Sequence, residues 1–82
     1  MALSHAQAMD VAKRFNPSAG RMLWFTDDGS LLTGAQSHRA VAAARGEIYV
    51  CHRPAAGGPV DVARLTAAQV DEGADPAFGM PW

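Results

Sequence analysis

The amino-acid sequence predicts a small α+β domain, and three observations lead to that prediction. A β-prone run over residues 21–26 leads into a turn, an alanine-rich helical stretch covers residues 34–45, and a second β-prone run follows at residues 47–52. Each segment meets its own turn or Gly stop signal. Because short strands joined by tight turns pair antiparallel, the expected sheet is antiparallel.

The predicted element order is α-β-β-α-β-β-short α, with a sheet of three or four strands and two helices packed on it. A length of 82 residues is typical of one domain. We assign residues 1–73 to a single α+β domain and residues 74–82 to an irregular, apolar C-terminal tail.

The first helix has clear start and stop signals. Ser4 and Gln7 have the spacing of a capping box, in which each side chain bonds the other residue's backbone. Asn16 precedes Pro17, and the residue before proline avoids the helical conformation. The buried stripe of this helix is expected to consist of Ala8, Val11, Ala12 and Phe15.

The first strand and its turn follow. Large apolar side chains alternate onto both faces of residues 22–26, which predicts a strand that is central or covered on both faces. Asp28 and Gly29 predict a two-residue type I′ turn, in which both residues have positive φ, and a short return strand at residues 30–33. The expected core residues are Trp24, Phe25, Ile48 and Val50.

The second helix has two competing start signals. Thr33 and Gln36 have capping-box spacing, which places the helix at residues 34–45, and Ser37 is an alternative N-cap. Gly46 is suited to the left-handed residue that ends a helix.

The last elements are predicted from alternation and capping. Residues 47–52 and 60–65 alternate as strands and are expected to pair through the Pro- and Gly-rich loop between them. Thr66 and Gln69 form a third capping-box pattern, and Gly73 ends the short helix that it opens.

Charge and cysteine content limit the classes of function. The net charge is −1, which argues against a general polyanion binder. Residues 1–60 sum to +2 and residues 61–82 to −3, so a mildly basic body carries an acidic end. Cys51 is alone, which excludes an intrachain disulfide and favours a reducing, cytoplasmic location. No signal peptide or membrane span is expected.

No cofactor motif stands out, and we expect neither a cofactor nor a metal site. His5, His38, His52 and Cys51 lack the paired ligand spacing of zinc sites. Adjacent Cys51 and His52 point to opposite faces of a strand. A small thiol enzyme therefore depends on His38 lying over the sheet near Cys51, and it is the third-ranked hypothesis.

Nucleic-acid binding is the second-ranked hypothesis. It requires a basic face with aromatic side chains for base stacking, and Trp24 and Tyr49 are the candidates for stacking. Both aromatic residues suit the core better. The basic face would consist of Lys13, Arg14, Arg39, Arg45 and Arg53.

The leading hypothesis is a non-enzymatic module that binds a larger protein and occludes or bridges its surface. Trp and Met are favoured interface anchors, and acidic side chains complement a cationic partner. The tail is expected either to dock on a partner or to fold back on its own thin core. A homodimer is retained as an alternative assembly. The candidate partner-binding residues are Asp71, Glu72, Asp75, Phe78, Met80 and Trp82.

Overall fold

The structure, a computed structural model, describes residues 2–82 and contains three helices and one three-stranded antiparallel sheet with strand order β1-β2-β3. The α+β class and the order of elements are confirmed. In chain order the elements are α1 (His5–Phe15), β1 (Met22–Phe25), α2 (His38–Arg45), β2 (Glu47–His52), β3 (Asp61–Thr66) and α3 (Ala67–Asp71).

Helix α1 begins and ends where its signals predict. Gln7 N donates to Ser4 Oγ at 3.1 Å, and Ser4 N donates to Gln7 Oε1 at 2.9 Å. Asn16 then takes the left-handed conformation, with φ 47°, immediately before Pro17. The capping box is therefore complete, and the helix ends at the Asn-Pro pair.

The turn after β1 differs from the prediction. Gly29 has φ 81°, but Asp28 does not have positive φ, so the type I′ assignment is wrong. Gly29 N donates to Thr26 O at 2.9 Å, and Thr26 N donates to Ser30 O at 3.0 Å. This is a three-residue loop with glycine at the left-handed position. The Asp28 carboxylate stabilises the loop by accepting a hydrogen bond from Ser30 N at 3.0 Å.

The predicted return strand is reduced to a bridge. Leu31 pairs with Phe25, and Leu32 N donates to Trp24 O at 2.9 Å. Beyond this point the chain leaves the sheet, so the fourth strand does not extend.

Helix α2 begins later than residue 34. Gln36 Oε1 accepts from Thr33 N at 2.9 Å, but Gln36 N donates to Thr33 O at 3.0 Å, which closes a turn. Ser37 is the N-cap, and its hydroxyl oxygen accepts from Ala40 N at 3.4 Å. The competing cap therefore sets the helix start, while Gly46, with φ 89°, ends the helix as predicted.

The position of β1 in the sheet is also a correction. Its apolar residues on both faces suggested a strand that is central or covered on both faces, yet β1 is an edge strand and β2 is central. Met22 remains 43% exposed. Helices cover β2 on both faces, whereas they reach only part of β1.

The core forms two clusters, one on each face of the sheet. Helix α1 covers one face, which we call the α1 face, and helices α2 and α3 cover the other, the α2 face. Phe25, Ile48 and Val50 are fully buried as expected, whereas Trp24 is half-buried. The α1-face cluster consists of Ala8, Val11, Ala12, Phe25, Tyr49, Cys51 and Val62, and the α2-face cluster of Ala42, Ile48, Leu65 and Val70.

Across residues 2–82, none of the helices has the length and apolar character required to cross a bilayer.

Candidate functional site

The C-terminal tail lies against its own domain. Trp82 Nε1 donates to Leu3 O at 3.0 Å, and the indole meets the His5 ring edge-on at 4.8 Å between centroids. Phe78 packs on His52 at 5.0 Å. Two of the three apolar candidates for partner binding therefore contact the chain itself, and Met80, at 64% exposure, is the one that faces solvent.

The tail passes around the β3 edge of the sheet. His52, which contacts Phe78, belongs to the α2 face, whereas Tyr49, which lies 6.0 Å from Trp82, belongs to the α1 face. The guanidinium of Arg64 in β3 lies 5.8 Å from the centre of the Trp82 ring. The tail thus straps β3 and ties the C-terminus to the start of α1.

The acidic candidates remain exposed. Asp71 pairs with Arg39 at 2.6 Å, although both side chains are largely in solvent. Glu72 and Asp75 form no ion pair within the described residues 2–82. Residues 66–82 contain these three carboxylates and no Lys or Arg. This segment is therefore anionic, and we call its three exposed carboxylates, Asp71, Glu72 and Asp75, the acidic end.

The basic candidates do not form one face. Lys13 and Arg14 lie on α1, and Arg39 and Arg45 lie on α2, so the two pairs are on helices that cover opposite faces of the sheet. The Arg45 guanidinium is also bound to the hairpin loop, where it lies 2.5 Å from the Asp27 carboxylate.

Arg53 is half-buried, and its side chain hydrogen-bonds to two loops of the chain. Its guanidinium donates to Pro17 O at 2.8 Å, to Gly58 O at 2.6 Å and to Asn16 Oδ1 at 2.7 Å. These bonds hold the segment after α1 against the loop between β2 and β3. Three of the five cations proposed for nucleic-acid binding therefore make contacts inside the chain.

The two aromatic candidates for base stacking are also engaged. Tyr49 is fully buried; its hydroxyl donates to the Glu47 carboxylate and accepts from Leu3 N at 2.8 Å. Burial, together with the Glu47 hydrogen bond, raises the pKa of Tyr49 to about 12. Trp24 stacks on His38 at 4.4 Å between centroids. The fold therefore uses these rings for packing.

Cys51 and His38, the pair considered for a thiol site, lie on opposite faces of the sheet. Cys51 is fully buried in the α1-face cluster, and burial raises the pKa of its thiol, which opposes thiolate formation. His38 stacks on Trp24, whose side chain belongs to the opposite face. Within residues 2–82 no cluster of three or more His, Cys, Asp or Glu side chains is placed to hold a metal ion.

One surface was missed from the sequence, namely the free edge of β1. Two solvent-facing grooves flank it, one of ≈ 270 Å³ on the α2 face and one of ≈ 340 Å³ on the α1 face. The sequence signal at this edge is the apolar pattern of residues 22–24, which by itself indicates burial as readily as an exposed binding surface. The first, the Trp24 groove, is lined by Met22, Trp24, Leu32 and His38, and the second, the Phe15 groove, by Phe15, Pro17, Leu23 and Leu31.

Comparison with known proteins adds no relative: no protein family, no curated protein and no solved structure matches this chain.

Proposed function

We propose that this chain is a small, non-enzymatic protein-binding module that acts by covering or bridging a surface of a larger protein. The observation that carries the proposal is the acidic end. Its three exposed carboxylates lie in a segment with no cation of its own, and within residues 2–82 only Asp71 has an ion-pair partner. Unpaired surface charge of one sign steers association with a surface of the opposite sign.

The distribution of cations supports a cationic protein partner over a nucleic acid. Nucleic-acid binding needs Lys and Arg side chains on one continuous face. Arg39, Arg45 and Arg53 instead bind groups of the chain itself. A protein with a positively charged groove is therefore the better partner.

One specific form of this function is an inhibitor of a nucleic-acid-processing complex. A surface rich in carboxylates imitates the phosphate charges that such a complex binds, and so occupies its cationic channel. A phage-encoded protein directed against a bacterial defence system, of the anti-CRISPR type, fits this chemistry and size. A cytoplasmic location follows from the same proposal, because such targets and an unpaired cysteine belong to a reducing compartment.

The test begins with capture of the partner from the native cell and its identification by mass spectrometry. Affinity for the purified partner is then measured at several salt concentrations for the wild type and for a variant combining Asp71→Asn, Glu72→Gln and Asp75→Asn. The expected result is weaker binding and a flatter salt dependence for the variant, because exposed charges act through a screened field. Asp10→Asn, which removes an exposed carboxylate from α1, is the matched control.

Two results would overturn the proposal. The first is unchanged affinity and unchanged salt dependence in the neutralised variant. The second is a filter-binding titration in which the chain binds single- or double-stranded DNA or RNA tightly and loses that binding on Lys13→Ala and Arg14→Ala. That result would favour a nucleic-acid accessory factor.

A further inference from the structure

The edge of β1 exposes backbone groups that have no partner. In an antiparallel ladder, successive residues turn their N–H and C=O alternately toward and away from the neighbouring strand. Arg53 N donates to Arg21 O at 3.4 Å, and Trp24 O accepts from Leu32 N on the other side. Met22 and Trp24 therefore turn outward. Among the described residues, nothing bonds the Met22 N–H and C=O or the Trp24 N–H.

Apolar surface lies on both sides of this edge. The Trp24 groove and the Phe15 groove open on opposite faces of β1, and the exposed apolar side chains Met22 and Leu31, each 43% exposed, belong to them. A strand added to the edge would direct successive side chains to alternate faces. Its side chains would therefore enter the two grooves in turn.

The charge of the edge restricts the occupant. Arg21 lines both grooves, is exposed and has no ion pair or side-chain hydrogen bond within residues 2–82. Among residues 2–82, no Asp or Glu lines either groove. An incoming segment with a carboxylate beside Arg21 would therefore gain an ion pair without displacing an existing one.

We propose that the β1 edge binds an extended segment of a partner protein by strand addition. The segment places apolar side chains opposite Met22 and Leu23 and a carboxylate opposite Arg21. Backbone bonds to the N–H and C=O of Met22 supply affinity, and the grooves supply selectivity, as in other cases of β-strand addition. The inference rests on the proposed function, since both make this chain a protein-binding module, but it concerns a surface separate from the acidic end.

A second copy of this chain is a poorer occupant. Two-fold pairing of β1 with itself around Leu23 would set Met22 of one copy opposite Trp24 of the other. The position opposite Trp24 is already occupied by Leu32, which donates its N–H to Trp24 O at 2.9 Å. A partner segment that pairs chiefly at Met22 avoids this conflict.

The experiment is selection of a random peptide library displayed on phage against the full chain. We expect enrichment of peptides in which a carboxylate adjoins apolar residues of β-forming type. For a synthetic version of a selected peptide, Arg21→Glu should weaken binding about tenfold, and a peptide with Lys in place of its carboxylate should restore it. Amide exchange followed by NMR should show that the Met22 N–H becomes protected on binding.

Met22→Pro provides a second test, because it removes the outward N–H and the Met22 side chain from the proposed interface without removing a bond to β2, and proline is tolerated at strand edges. It should abolish peptide binding, while the variant neutralised at the acidic end should bind as the wild type does. The proposal fails if no peptide is enriched, or if selected peptides bind Arg21→Glu and Met22→Pro unchanged. It also fails if sedimentation shows a dimer that Met22→Pro dissociates, since the occupant is then a second copy.

Discussion

The two edge strands of the sheet treat their outward backbone groups differently. In β3, Val62 N donates to the Asp61 carboxylate at 2.8 Å, and Thr66 N donates to Gln69 Oε1 at 2.9 Å. The tail then straps β3 and places Trp82 beside Arg64. In β1 the outward N–H of Met22 has no such acceptor among residues 2–82.

This difference shows how a small chain protects one edge of its sheet from pairing with another chain. Unpaired strand edges are templates for pairing with other chains, and proteins blunt them with charge, brevity or a covering segment. Side chains and a returning tail cover β3. The β1 edge is limited only by its four-residue length, by Arg21 and by the bridge at Leu31. The open edge is therefore where strand addition is expected.

Among the tests of this comparison, proline substitution in β1 should have the largest effect on the stability of the fold. Leu23 turns its N–H toward β2, so Leu23→Pro should remove a ladder bond and destabilise the fold by about 3 kcal/mol or more. Met22→Pro, one residue earlier, removes an outward N–H and should leave the fold intact. Thermal unfolding followed by circular dichroism distinguishes them; equal destabilisation would show that the outward assignment is wrong.

Removal of the strap on β3 should have the next largest effect. Trp82→Ala deletes a half-buried indole and its bond to Leu3 O, so we expect a loss of about 2 kcal/mol in the free energy of unfolding, below the value for a fully buried Trp. Met80→Ala, at a mostly exposed side chain, should change it by less than about 0.5 kcal/mol. Urea unfolding of both variants provides the measurement, and equal values would mean that the tail is not docked.

The smallest effect concerns the hairpin loop that follows the C-terminal end of β1. Hydrogen bonds from Thr26 and Ser30 lower the pKa of Asp28 from 3.8 to about 2. Because the folded pKa is depressed, this contribution to stability is present above about pH 4 and is lost as the pH falls through about 2.

Asp28→Asn should therefore reduce the acid dependence of unfolding, since an amide oxygen accepts the same bonds without titrating. Asp75→Asn, at an exposed carboxylate outside the loop, should leave that dependence as in the wild type. Identical acid profiles for Asp28→Asn and the wild type would contradict this assignment.

Local signals explain the elements that the sequence predicted well. The capping boxes at Ser4 and Thr66 and the left-handed Gly46 act within one helical turn. Each interaction therefore joins residues that are close together in the sequence. Two of the incorrect assignments, the start of α2 and the turn after β1, were choices between local alternatives. Ser37 displaced Thr33 as the cap of α2, and the loop at Asp28 took a three-residue form instead of a two-residue one.

The candidate sites depended on contacts that no local pattern contains. The acidic end was visible in the sequence because charge composition is additive along the chain. The intramolecular bonds of Arg53 and Trp82 join residues far apart in the chain, so the sequence did not reveal that these candidates bind the protein itself.

By itself the sequence determined the helix and strand segments, their order and the acidic bias of the C-terminal part, because capping, alternation and charge act over a few residues. Only the tertiary structure decided which strand is central, which edge is covered and which cations remain free. Those properties follow from which helix covers which face and where the tail returns. The apolar pattern on both faces of β1 is the same whether its free edge meets another strand or solvent, so strand position is decided by packing.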